Sequence, residues 1–262
     1  MIKIKFLGTS ATWPLPRPGK CFCKICYSSD PRDKRSRSVL LLQSKNYNVL
    51  IDCGPDIVKQ LRREKIKKIE AVVITHAHSD HISGLKRVDF KRLHPEGLLP
   101  LYASLNAHQI IKNNFGEKFD YQKIRISAYK KFSINHFSFL PFLVKHYQGI
   151  TTYGFQISLG GKEQNPKLIY LPDYKKVPLK SERYIKNCDL LILGGSILSK
   201  KIPWHNPITE GIKLAKRWKA KKVYFTHIGH DTLPHKALEK FVREKGGKNF
   251  HVAYDGLEVK LT

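Results

Sequence analysis

Short apolar runs punctuate this chain at regular intervals. Residues 39–42, 47–51, 71–75, 168–171, 190–193 and 223–226 are rich in Leu, Ile and Val and predict buried strands. Residues 1–5 alternate apolar and polar, as a strand does, and the mostly apolar run 139–145 is strand-like too. Between these runs, residues 56–64, 104–113, 208–218 and 235–245 carry helical patterns. In the third, Ile208, Ile212, Ala215 and Trp218 share one face while Lys213, Lys216, Arg217 and Lys219 turn away, which is ordinary core packing. Alternating strands and helices predict an α/β fold. No apolar run is long enough for a membrane-spanning helix. The first residues lack the apolar stretch of a signal peptide, so the expectation is a cytoplasmic protein without a membrane partner. With 262 residues the chain has ample length for a core, and no linker, low-complexity tract or repeat is visible.

The strand at 71–75 runs directly into His76-Ala77-His78-Ser79-Asp80-His81. A strand end is a rigid place from which to hang ligands. Three imidazoles and a carboxylate within six residues supply the N and O donors that zinc, manganese or iron accept. His76 and His78, two residues apart, can converge on one ion. Asp80 and His81, further round the turn, can converge on a second.

A different donor chemistry sits near the start. Cys21, Cys23 and Cys26 form C-x-C-x-x-C, three of five cysteines within six residues. An odd, crowded set favours metal over disulfides. Three thiolates want a fourth donor, because structural zinc is nearly always four-coordinate. Downstream, His230 offers one, three residues past His227. Cys53 and Cys188 lie in apolar surroundings and read as core residues.

Charge adds one constraint. Lys and Arg outnumber Asp and Glu by 48 to 21, a formal +27. Such a balance attracts phosphates, from small anions to nucleic acid. The basic residues cluster at 32–37, 62–68, 175–186 and 213–222, with no single stripe, so charge favours a phosphorylated partner without choosing its size.

H-x-H-x-D-H after an apolar strand resembles the metal-binding signature of the metallo-β-lactamase superfamily. Met1-Ile2-Lys3-Ile4-Lys5-Phe6-Leu7-Gly8-Thr9 is similar to that family's opening strand and glycine turn, and Leu50-Ile51-Asp52-Cys53-Gly54 to a later segment. The resemblance implies one domain over 1–262, a four-layer αβ/βα sandwich, with a Cys-rich zinc loop at 21–26. It implies that His76, His78 and His146 hold one divalent ion, that Asp80, His81 and His227 hold another, and that Asp173 bridges them. The two active-site ions are expected to be zinc or manganese. Asp52 is the expected carboxylate behind a ligand histidine, fixing its tautomer; a cap on the following helix is its alternative role.

The Cys cluster and the segment after His146 resemble a narrower branch, the cyclic phosphodiesterases typified by the phosphoribosyl cyclic phosphate phosphodiesterase. In that branch an early Cys cluster and a late histidine share a structural zinc, which here implies Cys21, Cys23, Cys26 and His230. The implied reaction is hydrolysis of a small, cyclic ribose phosphodiester by a hydroxide shared between the two ions. His205, in a Pro-flanked loop, is the candidate acid for the leaving alkoxide, and Asp80 counts with it as catalytic. A homodimer is also implied.

Two other readings stand beside this one. A transfer-RNA 3′-end nuclease of the same superfamily fits the charge. However, only 27 positions separate His146 from Asp173, leaving no room for an RNA-gripping arm, and the chain reads His205-Asn206-Pro207-Ile208-Thr209 where those enzymes carry His-Glu-Ala-Thr. A noncatalytic phosphate- or nucleic-acid-binding module is the reading from a different class; a full set of seven ligand candidates counts against it.

Overall fold

The computed structural model describes residues 1–19, 21–45, 47–116, 121–159, 166–200 and 202–261. Among these, fourteen strands form two seven-stranded sheets. The first contains β1 (Ile2–Gly8), β2 (Val39–Ser44), β3 (Tyr47–Ile51), β4 (Ala71–Val73), β5 (Leu99–Ala103), β6 (Tyr121–Arg125) and β14 (Glu258–Leu261), in the order β14-β1-β2-β3-β4-β5-β6. The second contains β7 (Phe132–Ile134), β8 (Phe137–Val144), β9 (Thr152–Leu159), β10 (Leu168–Leu171), β11 (Leu190–Gly194), β12 (Lys222–Thr226) and β13 (Phe250–Val252), in the order β13-β12-β11-β10-β9-β8-β7.

The two sheets share one plan. From the β14 edge of the first and the β7 edge of the second, three antiparallel pairings are followed by three parallel ones. The two similar halves are therefore present in the backbone although no repeat is legible in the residues.

Strand periodicity sorts the apolar residues into three layers of core. Leu40 and Leu42 face the other sheet, as do Leu190 and Ile192. Their neighbours Val39 and Leu41 face outward to α1 (Ile57–Arg63) and α4 (Leu105–Phe115). Leu191 and Leu193 likewise meet α5 (Leu179–Ile185), α6 (Ile208–Arg217) and α7 (His235–Gly246). A strand covered on both faces must be apolar at every position, which is why these runs do not alternate. The result is the four-layer αβ/βα sandwich, with both sheets mixed. Ile208, Ile212, Ala215 and Trp218 are buried as their spacing predicts, and Cys53 and Cys188 are core residues.

Three departures are informative. The ladder at 71–75 stops at Val73, because the Thr75 N–H is taken by the Asp52 carboxylate instead of a strand partner. Residues 79–82 form a one-turn helix, α2 (Ser79–Ile82), rather than an open turn. The basic cluster at 32–37 is not all surface: Arg35 is 2% exposed. Its guanidinium donates to Thr9 Oγ1 and the Ala253 carbonyl and lies 2.9 Å from His235 Nδ1. Burial, then the Arg35 charge, pushes His235 down to about 3, so its ring is the neutral acceptor that Arg35 requires. Arg35 is a strut between the N-terminal segment and α7, not an anion-binding residue.

Candidate metal centre

The C-terminal ends of the central strands of both sheets meet along one edge, where open α/β sheets commonly bind their ligands. Asp52 follows β3, the 76–81 motif follows β4, His146 follows β8, Asp173 follows β10 and His227 follows β12. Asp52 and His227 adopt left-handed backbone conformations, with φ of 68° and 56°. Asp and His tolerate that region better than branched residues do, and the turn swings their side chains inward at the strand end. Gly54 allows close approach of the motif: a Cβ there would lie 2.3 Å from the Asp80 carbonyl oxygen.

The seven predicted ligands converge in two groups. His76 Nε2 lies 2.8 Å from His78 Nδ1, and His146 Nε2 lies 3.1 Å from the same atom. Opposite them, Asp80 Oδ2 is 3.4 Å from His81 Nε2 and 3.5 Å from His227 Nε2. Asp173 stands between. Its Oδ2 is 3.1 Å from His81 Nε2 and 3.4 Å from His227 Nε2, while its Oδ1 is 3.7 Å from His146 Nε2. One carboxylate thus presents one oxygen to each group.

Supporting hydrogen bonds set which ring nitrogen is free. The Asp52 carboxylate accepts from Thr75 N–H, Thr75 Oγ1 and, at 2.7 Å, His81 Nδ1. Its acceptor capacity is spent on these groups and none goes to capping α1. His146 Nδ1 donates to the Trp204 carbonyl at 2.8 Å, leaving Nε2 to face the cluster.

The electrostatics demand positive charge. Burial opposes ionisation of Asp80 and Asp173, yet the surrounding His81 and His227 rings outweigh it and hold both carboxyls well below the carboxylate range. Burial also opposes a charged His81, but Asp52, Asp80 and Asp173 together pull its pKa well above the usual value. Burial, followed by the neighbouring rings, pushes His76 well below and His78 down to about 4. His81 Nε2, both nitrogens of His227 and Asp173 Oδ2 are buried without a hydrogen-bond partner. Orphaned buried donors cost stability unless something completes them. Divalent cations fit this pattern: the unpaired His81 Nε2, His227 Nε2 and Asp173 Oδ2 lie together in the cluster, and the donor set is the mixed N/O set such ions accept.

His205 lies at the mouth of the cluster. Its Nδ1 is 3.5 Å from Asp173 Oδ1, and its ring sits 4.9 Å from that of His146 and 5.4 Å from that of His227. Trp204, its neighbour in sequence, packs against Tyr147 at 4.9 Å. The loop is pinned from the Asp173 side: Lys175 Nζ donates to the Ile202 and His205 carbonyls, and Asn206 N–H to the Tyr174 carbonyl. A cleft of about 220 Å³ opens here, lined by Thr12, His78, Ser79, Asp80, His146, Tyr147, Asp173, Trp204 and His205. The roles of Thr75, Lys175 and Tyr147 are not legible locally: Thr75 shows only its place between strand and motif, and a loop-pinning lysine among 48 basic residues carries no local signal.

The cysteines lie apart from this cleft. Cys21 Sγ is 3.5 Å from Cys23 Sγ and 3.8 Å from His230 Nδ1. Cys26 accepts from the Arg17 N–H at 3.3 Å and stands beside the other two thiols, outside the tightest grouping of Cys21, Cys23 and His230. Backbone pairing independently ties this segment to the strand end that carries His227: Ala11 N–H donates to the Ile228 carbonyl and Ile228 N–H to the Thr9 carbonyl.

Residues 47–228 match the family described as the Beta-lactamase superfamily domain. The crystal structure of a diphosphatase from the PhnP family superimposes with a TM-score of 0.87 at 32% identity, covering 98% of this chain and 96% of that one. An octanoyltransferase of Porphyromonas gingivalis is 27% identical over 96% of this chain, which corresponds to 50% of its own length. A ribonuclease Z of Clostridium novyi is 36% identical over 32% of this chain and 22% of its own length. The chain thus spans half or less of these two curated relatives.

Proposed function

The chain belongs to the beta-lactamase superfamily and, within it, groups with the PhnP family; from that premise we propose that it is a metal-dependent phosphodiesterase acting on a small, cyclic ribose phosphodiester. The observation that carries the reading is the two-group convergence of seven donors with Asp173 between them. His76, His78 and His146 would hold one divalent ion and Asp80, His81 and His227 the other, with Asp173 shared. Zinc or manganese bound there would polarise the phosphate and activate water for attack at phosphorus. Cys21, Cys23, Cys26 and His230 would hold a structural zinc, so that 1–262 is one domain carrying an ordered N-terminal loop.

The remaining work falls to the chain itself. Asp52 and the Trp204 carbonyl keep His81 and His146 in the tautomers that leave Nε2 free, preorganising both groups. His205 occupies the cleft side from which a leaving oxygen would depart, and we assign it proton donation to that oxygen. Burial pushes His205 down to about 4, while Asp173 pulls the other way. An anionic diester beside the ring would favour the protonated form that donation requires. Asp80, by orienting against His81 and His227, is catalytic through the group it completes.

A precursor transfer RNA remains the rival substrate, favoured by the +27 charge and by a ribonuclease Z sequence likeness over about a third of the chain. One assay separates them. Protein reconstituted with zinc or manganese is offered ribose cyclic phosphates, linear diesters and a precursor transfer RNA. Turnover of the cyclic phosphates is expected; site-specific cleavage of the precursor with poor turnover of small diesters would reverse the assignment.

A further inference from the structure

A proton donor must be held in place, yet His205 sits on a segment with no regular structure. Residues 202–207 lie in neither helix nor strand. The ring's polar contact with the site is Asp173 Oδ1 at 3.5 Å, and the His146 and His227 rings stand 4.9 and 5.4 Å away. A contact of that length steers an imidazole only weakly.

The backbone is held instead, and at His205 itself by one side chain. Lys175 Nζ donates to the His205 carbonyl at 3.3 Å and also to the Ile202 carbonyl. The two acceptors bracket Pro203 and Trp204, so one ammonium closes the loop. Lys175 is anchored in turn. Its N–H and that of Lys176 both donate to the Lys145 carbonyl, and Lys145 N–H donates to the Lys176 carbonyl. Lys145 directly precedes His146, and Asp173 lies two residues before Lys175. One residue therefore joins the strand end carrying His146, the turn carrying Asp173 and the loop carrying His205.

Lys175 does not behave as a surface charge. It is half-buried, both its acceptors are carbonyl groups, and it does not line the cleft, whereas Lys176 beside it is exposed. An ammonium spent on two carbonyls of one loop sets geometry rather than drawing in an anion.

We propose that Lys175 is a positioning residue for the reaction: it clamps the 202–205 loop against the Asp173 turn so that the His205 imidazole meets the leaving oxygen. This rests on the phosphodiesterase reading above and names what keeps its proton donor in place. The rival is that Lys175 only braces the fold.

Lys175→Met tests it, because methionine removes the donors and leaves the backbone bonds to Lys145 intact. On a ribose cyclic phosphate, kcat should fall by about 10- to 100-fold, the scale of a displacement near 1 Å, with KM and metal content per chain unchanged. The deficit should shrink on a nitrophenyl diester, whose leaving group needs no proton. In a His205→Ala background the same change should cost little more, since both act through one group. Lys176→Met, which removes an equal charge one residue away, should be silent. A rise in KM with kcat intact would make Lys175 a substrate contact; an equal loss on both leaving groups, or a full further loss in His205→Ala, would make it a brace; an equal loss in Lys176→Met would make charge the cause. Each of these overturns the proposal.

A second readout needs no turnover. The Asn206 N–H donates to the Tyr174 carbonyl at 3.0 Å, and its hydrogen exchange, followed by NMR, should quicken by about tenfold in Lys175→Met while amides of the strand Leu190–Gly194 stay protected. Unchanged exchange at Asn206 sinks the clamp, and quickened exchange throughout shows a brace and sinks it too. If the unaltered enzyme cleaves no diester, the phosphodiesterase reading fails, and this exchange alone decides whether Lys175 holds the loop.

Discussion

The molecule carries two clusters of metal-ligand donors, and they are built in opposite ways. In the strand-end cluster His76, His81, His227 and Asp173 are almost wholly buried, each hung from or beside a sheet strand. Asp52, Thr75 and the Trp204 carbonyl hold ring orientations from behind. In the Cys cluster Cys21, Cys23, Cys26 and His230 are all partly exposed, in loops, with few contacts beyond one another and Arg17. The first is organised by the fold before any ion arrives. In the second the ion itself would supply much of the order, as structural zinc does where little else holds a loop. Removing a donor should therefore cost chemistry in one place and local structure in the other.

The largest effect is expected at the hinge of the first cluster. Asp173→Ala should abolish turnover and weaken both active-site ions together, measured by activity and by metal content per chain. Loss of a single ion would mean that Asp173 serves one group only. His205→Ala should retain both ions but lose about 10²–10⁴-fold in kcat. The deficit should shrink with a nitrophenolate leaving group, which needs no proton, and stay large with a ribose alkoxide. The same loss on both would reduce His205 to a positioning residue.

Behind the ligands the effects should be gentler. Asp52→Asn keeps the shape but loses the carboxylate behind His81, and outer supports of this kind are worth about 10–100-fold in metal affinity or activity. Metal titration should show the weakening at the group containing His81 and little at the group containing His146; an equal weakening at both would deny Asp52 that specific role. The smallest effect on chemistry belongs to the second cluster. Cys23→Ser should remove the tightly held zinc, one of three metal equivalents, leave the two exchangeable ions in place and lower the melting midpoint. Each kcal/mol lost is worth about 2–4 °C for a chain of this size. An unchanged midpoint and metal count would make the cysteines ordinary thiols and erase the contrast between the clusters.

The expectation of structure from sequence was uneven for physical reasons. The central strands β2, β3, β10, β11 and β12 announce themselves because both faces are covered along most of their length, which leaves runs of consecutive apolar residues. The edge strand β6 reads Tyr-Gln-Lys-Ile-Arg and α5 buries only Ser181, Glu182 and Ile185 of its seven residues; neither has a face apolar enough to be recognised.

The chain by itself determined the local chemistry: a His-Asp motif at the end of a buried strand, a thiol-rich loop, and lone His and Asp residues where other strands stop. Those are properties of neighbouring residues, and hydrophobic periodicity together with donor type is enough to express them. Only the tertiary structure decided how those pieces meet. Nothing local tells Asp173 to present one oxygen to His146 and the other to His81 and His227, because that depends on two sheets packing face to face so that strands far apart in sequence end together. The same packing buries Arg35 out of a basic run and sets Tyr147 against Trp204, 57 positions away, at the mouth of the cleft. Side chains acquire these roles from the distances between strand ends, and those distances exist only once the sheets have paired.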